Sequence, residues 1–227
     1  MHENIQNVVA ILKDSNKELD TDPNADGTGF LSFKPELLAK AVEKLSAIHP
    51  PPATILDLGC GNGGFALLAA ASGYTVCGID IHQYIVDKCK KNIEKAKQMN
   101  LLSGIITIAQ GNFYPKEEKE MFMKFRDNHK ENAKNMPWND NVQDPYTVLN
   151  ILLSEIDIIY TWSWPTQSRF LFNWLERSTS EKTIFVLPAY RRYTQGEHMN
   201  ASLKEPNTLI LKQLADGEVF IGRKIIH

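Results

Sequence analysis

The sequence predicts a single α/β domain on a doubly wound, mostly parallel seven-stranded sheet, with N-terminal helices and an antiparallel C-terminal hairpin. Three observations predict this fold. Short β-type runs alternate with helical patterns from residue 54 to residue 109, as in parallel strands joined by right-handed crossovers. Glycines cluster where the first such run meets its helix. With 227 residues, the chain is long enough for one such domain and too short for two.

The first 52 residues are expected to form a helical cover or lid. Apolar residues recur at helical spacing across residues 3–19, which predicts an amphipathic helix. Residues 20–29 are polar and turn-rich, so they are expected to form a loop. A second helix over residues 35–48 begins with a proline and ends before three more.

Residues 53–227 are expected to form the α/β core. Parallel strands are predicted over 54–58, 75–80, 105–109, 156–160 and 183–187, and a hairpin over 208–212 and 218–222 around Asp216-Gly217. A helical insertion of about residues 114–149 separates the third strand from the fourth. Its lysine- and glutamate-rich part carries an apolar strip of Met121, Phe122 and Phe125, which indicates a solvated helix serving as cover, lid or dimer contact.

Composition narrows the function classes. The 25 basic and 27 acidic side chains give a net charge of −2, so no basic field favours nucleic acid as a partner. The three cysteines and six histidines show no disulfide or metal-ligand spacing. No apolar run approaches the roughly 20 residues of a membrane span. We therefore expect a soluble, cytoplasmic protein without a metal, of open oligomeric state.

The glycine-rich turn after the first strand is the candidate ligand-binding site. Gly59, Gly61 and Gly63 bring backbone N–H groups to the carboxyl edge of the sheet with no side chains in the way. Asp80 ends the second strand about 20 residues further on, the distance at which an acidic side chain reaches ribose hydroxyls. The spacing also admits a dinucleotide, so an NAD-dependent oxidoreductase stays an alternative. Asp57 argues against it, because a carboxylate there repels a pyrophosphate and attracts an ammonium group.

The run Ile55-Leu-Asp-Leu-Gly-Cys-Gly-Asn-Gly63, followed by Cys77-Gly-Ile-Asp80, resembles the class I S-adenosylmethionine-dependent methyltransferases. The resemblance implies a Rossmann-like methyltransferase fold and S-adenosyl-L-methionine as cofactor. It also implies roles for individual positions: the methionine part of the cofactor on Asp57, Gly59, Cys60, Gly61 and Gly63, the ribose on Asp80, and the adenine on Ile81, Asn112 and Phe113. Thr161, at the end of the fourth strand, completes the candidate cofactor-binding residues.

The stretches after the fourth and fifth strands are expected to face the methyl acceptor. Trp162 and Trp164 would lie beside the sulfonium, where aromatic faces attract a cation, although core packing is the alternative for both. Tyr190 joins them as a candidate catalytic residue. Arg191 and Arg192 follow and suit either an acidic substrate or plain solvation, and His198 with Glu197 are candidate proton acceptors.

The acceptor itself is left open between a small molecule and a protein, with RNA a lesser possibility and a binding module without turnover a further alternative.

One more sequence pattern is not explained by the methyltransferase interpretation. Residues 22–27 follow the first half of a calcium loop, but Phe33 stands where its bidentate glutamate belongs, so tight calcium binding is not expected. Phe30 and Phe33 are expected to close over the cofactor, as N-terminal segments of the family commonly do.

Overall fold

The computed structural model describes residues 3–26, 28, 30, 32–128, 138–161, 165–188, 210–215 and 219–223. Its helices are α1 (Glu3–Asp20), α2 (Pro35–Ile48), α3 (Gly64–Ala71), α4 (Gln83–Gln98), α5 (Lys119–Asn128), α6 (Pro145–Leu149) and α7 (Pro165–Ser178). Its strands are β1 (Thr54–Leu58), β2 (Thr75–Asp80), β3 (Ile105–Gln110), β4 (Ile158–Thr161), β5 (Ile184–Pro188), β6 (Ile210–Ala215) and β7 (Val219–Arg223).

The strands lie in the order β3-β2-β1-β4-β5-β7-β6. The first five are parallel, and β7 pairs antiparallel with both β5 and β6. The chain moves outward from β1 to β3, then returns to place β4 on the other side of β1. Ligands of open α/β sheets bind outside the carboxyl ends of the strands at such a switch point. The functional site is therefore expected beside the ends of β1 and β4.

Helices cover both faces of the sheet, because successive strand residues point to opposite sides. One core is formed by the four helices α1, α2, α3 and α4 together with one set of strand residues, including Ile55 and Val76. The second core joins the next set, including Leu56 and Cys77, to α5, α6 and α7. From Phe65 to Ala71 every residue of α3 is buried. This helix is apolar all round because it lies between the sheet and the two N-terminal helices.

The doubly wound α/β fold and its parallel sheet of five strands are confirmed, with small shifts of boundary. The fourth strand begins two residues later than predicted, at Ile158. Just before it, the carboxylate of Asp157 accepts a hydrogen bond from Thr54 N at 2.8 Å. Helix α7 was not predicted, although Phe170, Leu171 and Trp174 recur at helical spacing. The predicted hairpin turn at residues 216–217 lies outside the described residues.

The insertion contains a helix as predicted, but its apolar strip differs. Phe122 is fully buried and packs with Tyr114 and Trp138. Met121 is 48% exposed, and Met123 takes its place against the core. Helix α5 therefore belongs to the cover of the second face of the sheet.

Candidate functional site

The glycine turn has a backbone that other residues adopt only at a cost. Gly59, Gly61 and Gly63 have φ values of 84°, 56° and 89°, in the left-handed region that favours glycine. The N–H groups of Gly59 and Cys60 donate to Ile79 O at 2.9 and 3.0 Å. These bonds pin the turn to the end of the neighbouring strand, so it lies at the carboxyl edge of β1.

Asp57 is the side chain at this edge with the least favourable surroundings. It is 1% exposed, and neither carboxylate oxygen has a hydrogen bond of normal geometry among the described residues. Burial and the nearby charge of Asp80 raise the pKa of Asp57 well above its ordinary value, while the Ala66 N–H lowers it slightly. A buried carboxylate without a partner is costly unless a ligand supplies a cation or donor.

Asp80 braces the turn. Its Oδ2 accepts from Gly61 N at 3.1 Å and its Oδ1 from His82 N at 3.0 Å. Burial raises the pKa of Asp80, and these two N–H groups oppose the rise. Each carboxylate oxygen has further lone pairs, so the side chain can accept ribose hydroxyls while it holds the loop.

The end of β4 adds a second unpartnered polar atom. Thr161 is 1% exposed, and its hydroxyl has no partner among the described residues. In the sheet Thr161 lies beside Leu58, and Tyr160 lies beside Asp57. The ring of Tyr160 stacks on Phe65 with centroids 3.9 Å apart. Polar atoms without partners thus occur on both strands of the switch point.

The adenine end of the predicted site is partly occupied by the protein itself. Asn112 Nδ2 donates to Asn139 O at 2.8 Å, and Asn112 Oδ1 accepts from Asn139 N at 2.9 Å. This pair of bonds fastens the insertion to the end of β3 and leaves one N–H and one lone pair of the amide for a ligand. Phe113 packs against the second core, and Ile81 O accepts from Gln110 Nε2 at 3.1 Å.

The loop after α1 is tied down beside the glycine turn. Asp22 accepts from the Tyr84 hydroxyl and lies 3.8 Å from Lys88 Nζ, so its carboxylate has partners other than a metal. Within the described ranges no group of three histidine, cysteine or acidic side chains is placed to hold a metal ion. The Phe30 ring lies directly over Gly61, where a Cβ would come within 3.2 Å of it.

The structure therefore brings one set of predicted residues together at the carboxyl edges of β1, β2, β3 and β4: Asp57, Gly59, Cys60, Gly61, Gly63, Asp80, Ile81, Asn112, Phe113 and Thr161. The candidate acceptor residues Trp162, Trp164 and Tyr190 lie outside the described residues, as do Arg191, Arg192, Glu197 and His198. In the part of the chain that is described, no helix has the length and apolar character that a membrane span requires.

Sequence reasoning missed the contacts of Asn62, which carries an amide side chain inside the glycine turn. Asn62 is 5% exposed and bonds to Ser15 and Asn16 of α1. A polar residue between two glycines of a buried turn was the available signal, since buried amides are almost always hydrogen-bonded.

Comparison with known proteins places the glycine turn within a family. Residues 30–163, more than half of the chain, match the family model described as a methyltransferase domain. Over 60 residues the chain is 35% identical to the O-antigen chain terminator bifunctional methyltransferase/kinase WbdD of Escherichia coli. That stretch is 26% of this chain and 8% of the relative, so the chain spans only a small part of that protein's length.

Solved structures show the same fold. A methyltransferase from Geobacter sulfurreducens is similar with a TM-score of 0.57 and 13% identity, over 97% of this chain and 89% of that one. A putative O-methyltransferase from Klebsiella pneumoniae is similar with a TM-score of 0.55 and 9% identity, over 99% of this chain and 90% of that one. At such identities the likeness concerns the fold alone.

Proposed function

This chain belongs to the methyltransferase domain family that its sequence matches, and we propose that it transfers the methyl group of S-adenosyl-L-methionine to an acceptor. The observation that carries the proposal is the buried carboxylate of Asp57, which has no regular hydrogen-bond partner in the described part of the chain and lies beside a glycine turn at the switch point of the sheet. A ligand with an ammonium group and a nucleoside fits these surroundings.

Different residues of the site contact different parts of the cofactor. Asp57 holds the ammonium group directly or through water, a charge-assisted bond that offsets the cost of its burial. The backbone of Gly59, Cys60, Gly61 and Gly63 accommodates the methionine part, and Thr161 offers its free hydroxyl nearby. Asp80 binds the ribose hydroxyls, and Ile81, Phe113 and the remaining donor and acceptor of Asn112 contact the adenine.

When bound, the cofactor supplies a methyl group on a sulfonium, an electrophile that needs no metal. The protein's task is then to hold the acceptor's lone pair in line with the S–CH₃ bond, and orientation provides much of the acceleration. We assign the wall beside the sulfonium to Trp162, Trp164 and Tyr190, because aromatic faces attract the cation and exclude water. In the sequence these residues follow β4 and β5, two strands whose carboxyl ends lie at the same edge of the sheet as Asp57.

We propose a small molecule or a protein as the acceptor. The net charge of −2 provides no broad attraction for a nucleic acid backbone. An oxidoreductase is disfavoured by the same carboxylate that favours the sulfonium cofactor, since Asp57 lies beside the glycine turn and would repel a pyrophosphate bound there.

Ligand titration tests the cofactor, and substitution tests the site. S-adenosylmethionine and S-adenosylhomocysteine should both raise the melting temperature of the wild-type protein, whereas NAD should not. The Trp162→Ala and Tyr190→Ala variants should keep S-adenosylhomocysteine affinity in calorimetry and lose methyl transfer in an assay of candidate acceptors. Stabilisation by NAD alone would overturn the proposal.

A further inference from the structure

A closed network of buried amides and a hydroxyl connects the glycine turn to two helices. Asn62 Nδ2 donates to Ser15 Oγ at 3.1 Å and to Asn16 Oδ1 at 2.8 Å. Asn92 Nδ2, on α4, donates to the same Ser15 Oγ and to Asn62 O, both at 2.9 Å. Asn62, Ser15 and Asn92 are 5%, 5% and 9% exposed. The network therefore uses both amide N–H groups of two buried asparagines.

Two consecutive residues of the turn are held from different elements. The Asn62 amide donates to Ser15 of α1, while the neighbouring Gly61 N–H donates to Asp80 at the end of β2. The conformation of the turn is therefore fixed both by the N-terminal helix and by the neighbouring strand.

The same network reaches the segment that lies over the turn. Asn16 Nδ2 donates to Phe33 O at 3.0 Å. Three residues earlier, Phe30 lies against Gly61. Asn16 therefore bonds both to the glycine turn, through Asn62, and to Phe33, which follows Phe30 by three residues.

We propose that Ser15, Asn16, Asn62 and Asn92 are positioning residues for the cofactor, holding the glycine turn and the Phe30 segment in register with each other. This inference rests on the proposed cofactor site. The residues act through the turn and through Phe30, so their loss should weaken cofactor binding beyond any effect on folding. Buried polar networks of this kind have large effects when one member is removed, because the others then lack partners.

The test compares Asn92→Ala with Tyr74→Phe. Asn92→Ala removes two hydrogen bonds of the network. Tyr74→Phe removes the hydroxyl that donates to His49 O at 2.7 Å in the same core but away from the turn. Both variants should melt at lower temperature. Only Asn92→Ala should raise the Kd for S-adenosylhomocysteine, by about tenfold, when calorimetry is done well below both melting temperatures.

A second pair of variants tests the proposal if Asn92→Ala does not fold. Asn16 is only half-buried, so Asn16→Ala should fold and raise the Kd about threefold, as expected for weakened neutral hydrogen bonds. Asn16→Asp keeps the acceptor for the Asn62 amide and loses the donor to Phe33 O, so it should also raise the Kd if the Phe33 contact matters. A wild-type Kd for both variants would contradict the positioning role of Asn16.

The outcomes separate this inference from the function on which it rests. If the wild type binds S-adenosylhomocysteine and neither Asn92→Ala nor Asn16→Ala changes the Kd, the network is structural and the inference is wrong while the proposed function stands. If the wild type binds neither S-adenosylmethionine nor S-adenosylhomocysteine, the proposed function is wrong and the inference falls with it.

Discussion

Replacing Asp57 by asparagine should stabilise the empty protein and weaken its affinity for the cofactor. The carboxylate is 1% exposed and lacks a regular hydrogen-bond partner among the described residues. An unsatisfied buried polar group costs about 1–3 kcal/mol, more when it is charged. Asparagine has nearly the same shape and remains polar, but it removes the additional cost of ionising a buried group, so we expect a gain of about 1–3 kcal/mol at neutral pH. For a chain of this length each kcal/mol raises the melting temperature by about 2–4 °C.

The gain should depend on pH with a defined sign. The pKa of Asp57 in the folded protein lies well above the ordinary value of 3.8. Above pH 3.8 the unfolded chain has lost this proton while the folded protein keeps it, so folding takes up a proton and wild-type stability falls as the pH rises. The Asp57→Asn variant lacks this dependence. The difference in free energy of unfolding should therefore be small near pH 4 and grow until Asp57 ionises in the folded protein.

Denaturant unfolding from pH 4 to pH 8 measures this difference, and calorimetry with S-adenosylhomocysteine measures the affinity. Loss of a charge-assisted hydrogen bond, worth about 1.5–3 kcal/mol, should raise the Kd at least tenfold. Asp157→Asn is the matched control, because Asp157 is exposed, bonds to Thr54 N at the opposite edge of the sheet and should change neither quantity appreciably. An Asp57→Asn variant that is less stable than the wild type throughout, or that binds with unchanged affinity, would refute the reasoning.

Three further substitutions test the turn, the cover and the insertion. Gly61→Ala and Gly73→Ala both place a side chain at positive φ, 56° and 99°, and each should cost about 1–3 kcal/mol in denaturant unfolding. Only Gly61→Ala should also abolish S-adenosylhomocysteine binding, and equal affinities would contradict the close approach at the turn. Phe122→Ala should cost about 3–5 kcal/mol and Met121→Ala less than about 0.5, measured in the same way; similar values would contradict the packing of α5. Asn112→Ala should accelerate amide hydrogen exchange at residues 139–141, because its two bonds to the backbone of that segment are lost, and unchanged exchange would show that the insertion is held elsewhere.

The parallel part of the fold could be predicted because local pattern and global structure agree in it. The runs 54–58 and 75–80 are β-type and mostly apolar apart from their first threonines and the two aspartates, and they form strands with those bounds. The insertion was harder because tertiary contacts select its buried side. Both Met121 and Met123 fit a helical strip around Phe122, and only the packing of α5 on the sheet decides that Met123 is the one turned inward.

The candidate site also contains some features that the sequence predicts and others that depend on tertiary contacts. The spacing of Asp57, the glycines and Asp80 is local in sequence and follows directly from a strand, a turn and a strand. The contacts of Asn62 and Asn112 are not local in sequence. The partners of Asn62 lie 46 and 47 residues away, and the partner of Asn112 lies 27 residues away. A sequence shows that a buried amide needs partners, but the crossing of helices over the turn determines which residues supply them.

The buried side chain of Asp57 favours a sulfonium nucleoside over a dinucleotide at this glycine turn. Burial raises the pKa of both Asp57 and Asp80, and the charge of Asp80 adds to the rise at Asp57, so the site disfavours each negative charge that enters it. A pyrophosphate would bring two more. An ammonium group does the reverse: it allows Asp57 to ionise in place, and that ionisation strengthens the bond to the ligand. Without the ligand, the buried Asp57 side chain has no regular partner among the described residues and destabilises the fold, as expected of a group that serves binding rather than folding.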